Sequence, residues 1–212
     1  APPWMRSQPH NTSHRYPYAK YYEAVISSRG ERLEHFTALG AAVSRMCRDP
    51  LLEYGPKALE DHRNGRCTYD VEQAVLAIIV TTGIASIFLT KDYTPDYNSG
   101  LAHAVFYALT AYPVIEERHL LGEVVGFGVL LALLVDGQEE EFEKIYRLNR
   151  TLGLPVSLEE IEITEKQWEE CRKRIPDMSD VAHYPYRVTE EMLTEAMDRL
   201  KERVRKDAGK EE

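Results

Sequence analysis

The sequence is short of cysteine: Cys47, Cys67 and Cys171 are the only three in 212 residues. An odd number with no C-x-x-C pair and no Cys/His zinc spacing excludes a disulfide framework. It predicts reduced thiols in a cytoplasmic setting. The chain also lacks the cationic excess that phosphate contacts need. It carries 26 Lys+Arg against 35 Asp+Glu, a formal net charge of −9, so neither nucleic acid nor an anionic membrane is the expected partner. No strand leads into a G-x-G-x-x-G or Gly-Gly-Gly turn, so nothing in the sequence cradles a pyrophosphate. No apolar run reaches the ~20 residues of a helical membrane span. Val75–Leu89 and Val124–Val135 are shorter and each is soon followed by charge, which predicts buried core helices. The N-terminal APPWMRSQPHN has no apolar signal core. The first methionine is Met5, so Ala1 reads as a processed end or, preferably, as a cut from a longer chain.

What is present is helical periodicity. Hydrophobic residues make up 43% and charged residues 29%, an ordinary balance for a chain able to bury a core. Ala1–Pro17 holds four prolines and no period, so residues 1–17 read as an irregular lead-in. Tyr18–Ser28 is helical, with Ala19, Tyr22, Ala24 and Val25 on one side. Leu33, Phe36, Leu39, Ala42, Val43 and Met46 give a second helix within Glu31–Leu52. Leu51–Tyr54 ends at Gly55, and Lys57–Arg63 forms a short polar helix. Thr68 supplies an N-cap for a helix running to about Leu89, apolar almost all round and therefore central. Gly100–Leu121 carries one helix, and Gly122–Val135 a second central one. Gly126 and Gly128 would each cost about 1 kcal/mol inside that second helix, which predicts a neighbouring backbone packed close against it. Asp136 and Glu139–Glu141 read as a solvated helix start, and Glu139–Leu152 as an amphipathic helix ended by Gly153. Ser157/Glu160 and Thr164/Gln167 are capping boxes. A last helix runs from Glu190 to about Arg205. No segment alternates as a strand. The expected fold is all-α, a compact bundle of eight or nine helices in one domain over 18–205, with a frayed tail over 206–212.

Three motifs carry a family resemblance. Ala19-Lys20-Tyr21-Tyr22-Glu23-Ala24, Ser99-Gly100-Leu101-Ala102-His103-Ala104 and Gly122-Glu123-Val124-Val125-Gly126-Phe127-Gly128 resemble segments of the glycerol dehydrogenase branch of the iron-containing alcohol dehydrogenase superfamily. Leu52–Leu59, Leu152–Pro155 and the Val188–Glu191 helix start agree in order and spacing. The resemblance covers about Ala19 to Leu200. It implies the family's C-terminal helical domain, with the NAD(P)-binding α/β domain unmatched. In the family the helical domain carries the metal, Zn or Fe, and much of the substrate pocket.

The resemblance also implies where the metal ligands should stand. The family's zinc is held by an aspartate and two histidines. The aspartate position falls on Tyr16, the first histidine on His103, and the second on Leu121, 18 residues further on as in the family. A further family histidine has become Phe106. One ligand of three remains, and a lone neutral imidazole does not hold Zn2+ or Fe2+ against water. The expected state of His103 is a hydrogen-bonded bundle histidine with no metal and no NAD(P) in this chain. The alternative is a rebuilt metal site in which His14 and His119 join His103, with His10 and Glu123 near in sequence. Tyr16, Tyr18, Tyr21 and Tyr22 could line a pocket mouth, with at least two of them in the core or rim. The expected function is therefore a diverged domain acting structurally or through interaction, as a homo-oligomer or beside a separate nucleotide-binding domain. The alternative is a fragment or diverged form of a metal- and NAD(P)-dependent alcohol or polyol dehydrogenase. A third possibility is a small-ligand binding module in the old substrate cavity.

Overall fold

A computed structural model of the chain describes residues 17–90 and 96–209. Among them are eleven α-helices and no strand, so the fold is an all-α multi-helix bundle. The helices are α1 (Tyr18–Ser27), α2 (His35–Ser44), α3 (Asp49–Arg63), α4 (Tyr69–Leu76), α5 (Thr82–Leu89), α6 (Leu101–Leu109), α7 (Pro113–Arg118), α8 (Leu121–Val135), α9 (Glu139–Leu152), α10 (Glu165–Arg172) and α11 (Glu190–Ala208). A π turn, Ala77–Thr81, joins α4 to α5 in one 21-residue helix. That division and the short α7 account for the count exceeding the expected eight or nine.

The middle of the bundle is α8. Its residues Val124–Leu134 are all buried, and α6, α9, α11 and α1 pack around it. Gly128 explains how α6 comes so close. A Cβ there would lie 2.6 Å from the carbonyl oxygen and 2.9 Å from the Cα of Ala102. The backbones of α6 and α8 therefore touch at this point, as the glycine cost predicts. The α9 helix ends at Gly153, whose φ of 71° is the left-handed cap conformation that a side chain resists. Thr164 and Gln167 form the expected reciprocal cap of α10. Glu160 closes the neighbouring turn by accepting from the Val156 N–H at 2.7 Å.

Several expectations fail on physical grounds. Residues 49–63 form a single helix with Pro56 inside it, where a break at Gly55 and a separate polar helix were expected. The preceding helix is shorter than its apolar pattern suggests: α2 gives way to a 3-10 turn, Arg45–Cys47, that redirects the chain into α3. Thr68 stands at the N-cap of α4 as expected, but its side chain makes no cap hydrogen bond. Its hydroxyl donates instead to Asp61 at 2.8 Å, and Asp61 also holds Lys57 and Arg66. Asp136 and Glu141 are not a solvated helix start. The Asp136 side chain is fully buried and accepts from Tyr186 at 2.8 Å, from Gln138 at 2.7 Å and from Arg29. Glu141 ties α9 to Tyr22 at 2.7 Å and to Arg48, and accepts from Lys144 of its own helix at 2.7 Å.

The largest departure is the helix from Tyr69 to Leu89. It is long and apolar, yet only 22% of its most apolar window is buried. Ala74, Ala77, Thr82, Ala85 and Leu89 face inward, while Leu76, Ile79, Val80, Ile84 and Ile87 are exposed. It is a peripheral helix and not the central one its composition suggests. The last helix, α11, runs to Ala208, so helical backbone continues past Lys206.

Candidate functional site

The polar centre of the bundle lies where α1 meets the start of α6. Gly100 stands at the N-cap of α6 and has no side chain to satisfy that helix's first N–H groups. Two distant residues do it instead. The Leu101 N–H donates to the Tyr184 hydroxyl at 3.0 Å. The His103 N–H donates to Glu23 Oε1 at 3.2 Å. A carboxylate in front of a helix N-terminus also meets the positive end of its dipole. Gly100 is needed for this closure. A Cβ there would lie 3.0 Å from the Tyr184 ring, 3.1 Å from its hydroxyl and 3.3 Å from Glu23 Cγ.

The same carboxylate takes the His103 side chain. Nδ1 lies 2.7 Å from Glu23 Oε1 and 2.8 Å from Oε2. Glu23 is 1% exposed and His103 7%, so the pair is nearly dry and each group depends on the other for its hydrogen bonds. Paired in this way, His103 donates from Nδ1, and Nε2 is the ring nitrogen left outside the pair.

Around the pair the groups are pinned. Lys20, one turn before Glu23 on α1, is buried and donates to the Asn98 carbonyl at 2.7 Å. Burial pushes its pKa down, and Glu23 pulls it back up. The Ser99 hydroxyl donates to Asp180. Burial raises the Tyr184 phenol well above its ordinary pKa, with the Glu23 charge adding to it. Tyr107, one turn after His103, is half exposed, with its ring centroid 6.2 Å from that of His103. Its pKa is raised by burial and by Asp180 and Glu23.

The other candidates stand elsewhere. His119 follows α7, with Nδ1 3.9 Å from Glu123 and Nε2 3.5 Å from Glu162. It shares no partner with His103. Glu123 caps α8 by accepting from the Leu120 N–H at 3.0 Å. Phe106 is buried and stacks edge-on against Tyr107. Leu121 is partly buried against the core. Tyr18 and Tyr22 are core residues, with hydroxyls on Asn149 and Glu141. His10, His14 and Tyr16 lie outside the described residues.

Among the described residues, the ligand set that the resemblance implies is not brought together. His103 offers one ring nitrogen, Phe106 and Leu121 offer none, and no group of three His, Cys, Asp or Glu side chains converges among the described residues. A site with three protein ligands and one open position is not assembled there.

The residue that sequence reasoning passed over is Glu23. It stands in the first of the three motifs, which by itself gives it no partner. The signal was available: Glu23 comes four residues after Ala19, which puts a charge on the apolar side of α1. A buried-face charge requires a partner. What stays hidden in the sequence is that the partner is His103, 80 residues away.

Comparison with known proteins now gives this geometry a lineage. No family model matches the chain. A glycerol dehydrogenase of Pseudomonas putida is 37% identical over 158 residues, 69% of this chain and 39% of that protein. Hydroxycarboxylate dehydrogenase A of Escherichia coli K12 is 28% identical over 187 residues, 86% of this chain and 50% of that protein. The chain is a homologue of the glycerol dehydrogenases. The crystal structure of a probable glycerol dehydrogenase from Sinorhizobium meliloti 1021 superposes with a TM-score of 0.72 at 24% identity, over 90% of this chain and 54% of that one. The Schizosaccharomyces pombe glycerol dehydrogenase gives 0.70 at 21% identity, over 87% and 48%. These two establish the shared fold. The region matched is the C-terminal helical part of such proteins, and this chain spans 30% to 50% of the length of the curated relatives it matches.

Proposed function

We propose that this chain is the helical part of a glycerol dehydrogenase-like protein whose metal position has been given over to structure. It has no dehydrogenase activity of its own and acts as a scaffold or interaction domain in a reduced, cytoplasmic setting. The observation that carries this reading is the use made of Glu23. Its carboxylate closes the N-terminus of α6 and holds the His103 ring in the same junction. The ligand positions that flank His103 in the resemblance are filled by Phe106 and Leu121, whose side chains pack and do not ligate. The three cysteines are free, two of them buried, which agrees with a reducing compartment.

A second reading keeps the enzyme: a fragment or diverged form of a metal- and NAD(P)-dependent alcohol or polyol dehydrogenase. One observation favours it. An imidazole that gives one ring N–H to a buried carboxylate is oriented as metal-bound histidines are. Elemental mass spectrometry on the purified chain, together with a spectrophotometric assay of NAD(P)-linked glycerol oxidation, separates the two. The structural reading expects no stoichiometric Zn or Fe and no oxidation. Near-stoichiometric metal that disappears in His103→Ala, or measurable oxidation, would install the second reading in its place.

A further inference from the structure

We propose that the chain forms a symmetric dimer through the outer face of the Tyr69–Leu89 helix, with the two copies crossing antiparallel at Gly83. Of the ten exposed large hydrophobic residues among those described, nine lie on α2, α4, α5 and the turns that adjoin them. Only Tyr107 lies elsewhere. Phe36 of α2 is 67% exposed and its ring lies 5.8 Å from that of Phe88 on α5, so the two helices present one continuous apolar surface. None of its residues belongs to α6, and the dimer is independent of the chemistry of His103.

Three features name the occupant. First, the exposed residues Val80 and Ile87, with Gly83 between them, follow steps of three and four, while Leu76 lies before the π turn that interrupts the step. That is the spacing with which one helix seats against another. Second, Gly83 has no intramolecular explanation. A Cβ built on it meets nothing within 4 Å, whereas a helix-interior glycine costs about 1 kcal/mol against alanine. A glycine facing outward on an apolar helix is accounted for by a second backbone approaching it. Third, the face fits itself. From Leu76 to Ile87 the helix carries no charge; its acids, Asp70 and Glu72, sit in the first turn. An isologous contact therefore sets no like charges opposite each other, and a two-fold axis at Gly83 brings Val80 against the partner's Ile87.

The size suits a reversible dimer. A two-fold axis at Gly83 sets residues 77–89 of the Tyr69–Leu89 helix face to face, about 20 Å of helix, and with α2 about 9 Å away along part of it the contact is on the order of 450 Å2 per copy, about half of what each partner gives a standard interface and in the range of weaker, reversible ones. A lipid surface is the less favoured occupant. Helices that lie on membranes carry Lys and Arg on their polar side, whereas this helix opens with two acids in a chain of net charge −9.

The test is sedimentation equilibrium on the full chain. The wild type should run at twice the 24.4 kDa chain mass. The double variant Ile79→Asp/Ile87→Asp should run as a folded monomer, with helical circular dichroism retained and dimerisation weakened about 100-fold or more by the uncompensated charges. In a Cys67→Ser background, Ile84→Cys beside the axis should form a cross-linked dimer on copper-catalysed air oxidation. A wild type that stays monomeric overturns the proposal. So does a dimer indifferent to both aspartates that fails to cross-link through Ile84→Cys. Vesicle flotation that the aspartates abolish, from a wild type monomeric without lipid, assigns the face to a bilayer and overturns it as well.

Discussion

Two helix pairs in this molecule are both rich in small residues, and they use them in opposite ways. Where α6 meets α8, Gly128 and the alanines of α6 bring backbones into contact, and the polar groups released at the start of α6 are met by Glu23 and Tyr184. Where α4–α5 meets the rest of the bundle, Ala74, Ala77 and Ala85 let the helix settle closely inward and leave its large aliphatic side chains outside. The first pair closes the protein on itself. The second leaves a surface that its own chain does not cover. Small residues thus mark close approach in both places, and only the position of the large ones tells whether the approach is the core or the back of an interface.

The comparison is broken most severely at Glu23. Glu23→Ala would strip the partner from His103 Nδ1 and from the His103 N–H in a nearly dry site. Removing one member of such a buried pair costs about 3–5 kcal/mol. Urea titration should show the loss as a lower midpoint, and Glu23→Gln, which keeps the shape and one acceptor, should recover part of it. An unchanged midpoint for Glu23→Ala would mean the pair contributes nothing to closing the bundle.

The second largest effect is expected at Gly128. An alanine Cβ there would overlap the Ala102 backbone, which has no flexible end to move aside. Overpacking of this kind costs about 1–3 kcal/mol, against a helix-propensity gain of about 1. A contact of 2.6 Å on rigid backbone belongs at the upper end of that range, so the net loss should be about 2 kcal/mol, or a few degrees in Tm. A Tm at or above that of the wild type would show that α6 and α8 separate freely.

How much of this was legible can be argued from these residues. The helices of α1, α6, α8, α9 and α11 follow from apolar spacing, and the close approach at Gly128 follows from the cost of a glycine in a helix. Two features do not follow. The Val75–Leu89 run is apolar on both sides, so hydrophobicity alone leaves its inner face undetermined. The decisive clue is size, since the alanines lie inward and Ile79, Ile84 and Ile87 outward, and average composition conceals it. The Glu23–His103 junction is invisible because its two motifs are far apart in sequence, and a motif read alone gives its residues no partner. The metal expectation has the same limit from the other side. His103 could be located by its motif, but what its ring touches depends on α1.

A pH test sharpens the comparison at the edge of the closed region. Burial raises the Glu141 pKa, but hydrogen bonds from Lys144, Tyr22 and Arg48 outweigh it and hold the group at about 2, below its ordinary 4.5. A carboxylate depressed in the folded state stabilises fully above its unfolded pKa, and that contribution disappears as pH falls through the folded one. The window is therefore about pH 5 down to 2. Glu141→Gln should flatten the acid limb of a stability–pH curve between those values and leave its neutral limb parallel to the wild type. A curve still as steep in that window would place the acid sensitivity elsewhere. The exposed Lys206–Glu202 pair of α11 should contribute little to it.

The smallest expected effect is the most discriminating, because it makes at Gly83 the change already considered at Gly128. Gly83→Ala adds a Cβ to open space. In the monomer it should stabilise by about 0.4–1 kcal/mol, through higher helix propensity and a less flexible unfolded chain. In the dimer the added methyl stands where the two backbones cross and should weaken association. The two effects separate by concentration. Chemical denaturation in dilute solution, where the chain is monomeric, should show a higher midpoint than the wild type. Sedimentation in concentrated solution should show a larger dimer dissociation constant. A substitution that raises the midpoint without changing association would leave Gly83 an ordinary exposed glycine, and the outer face would lose its point of closest contact.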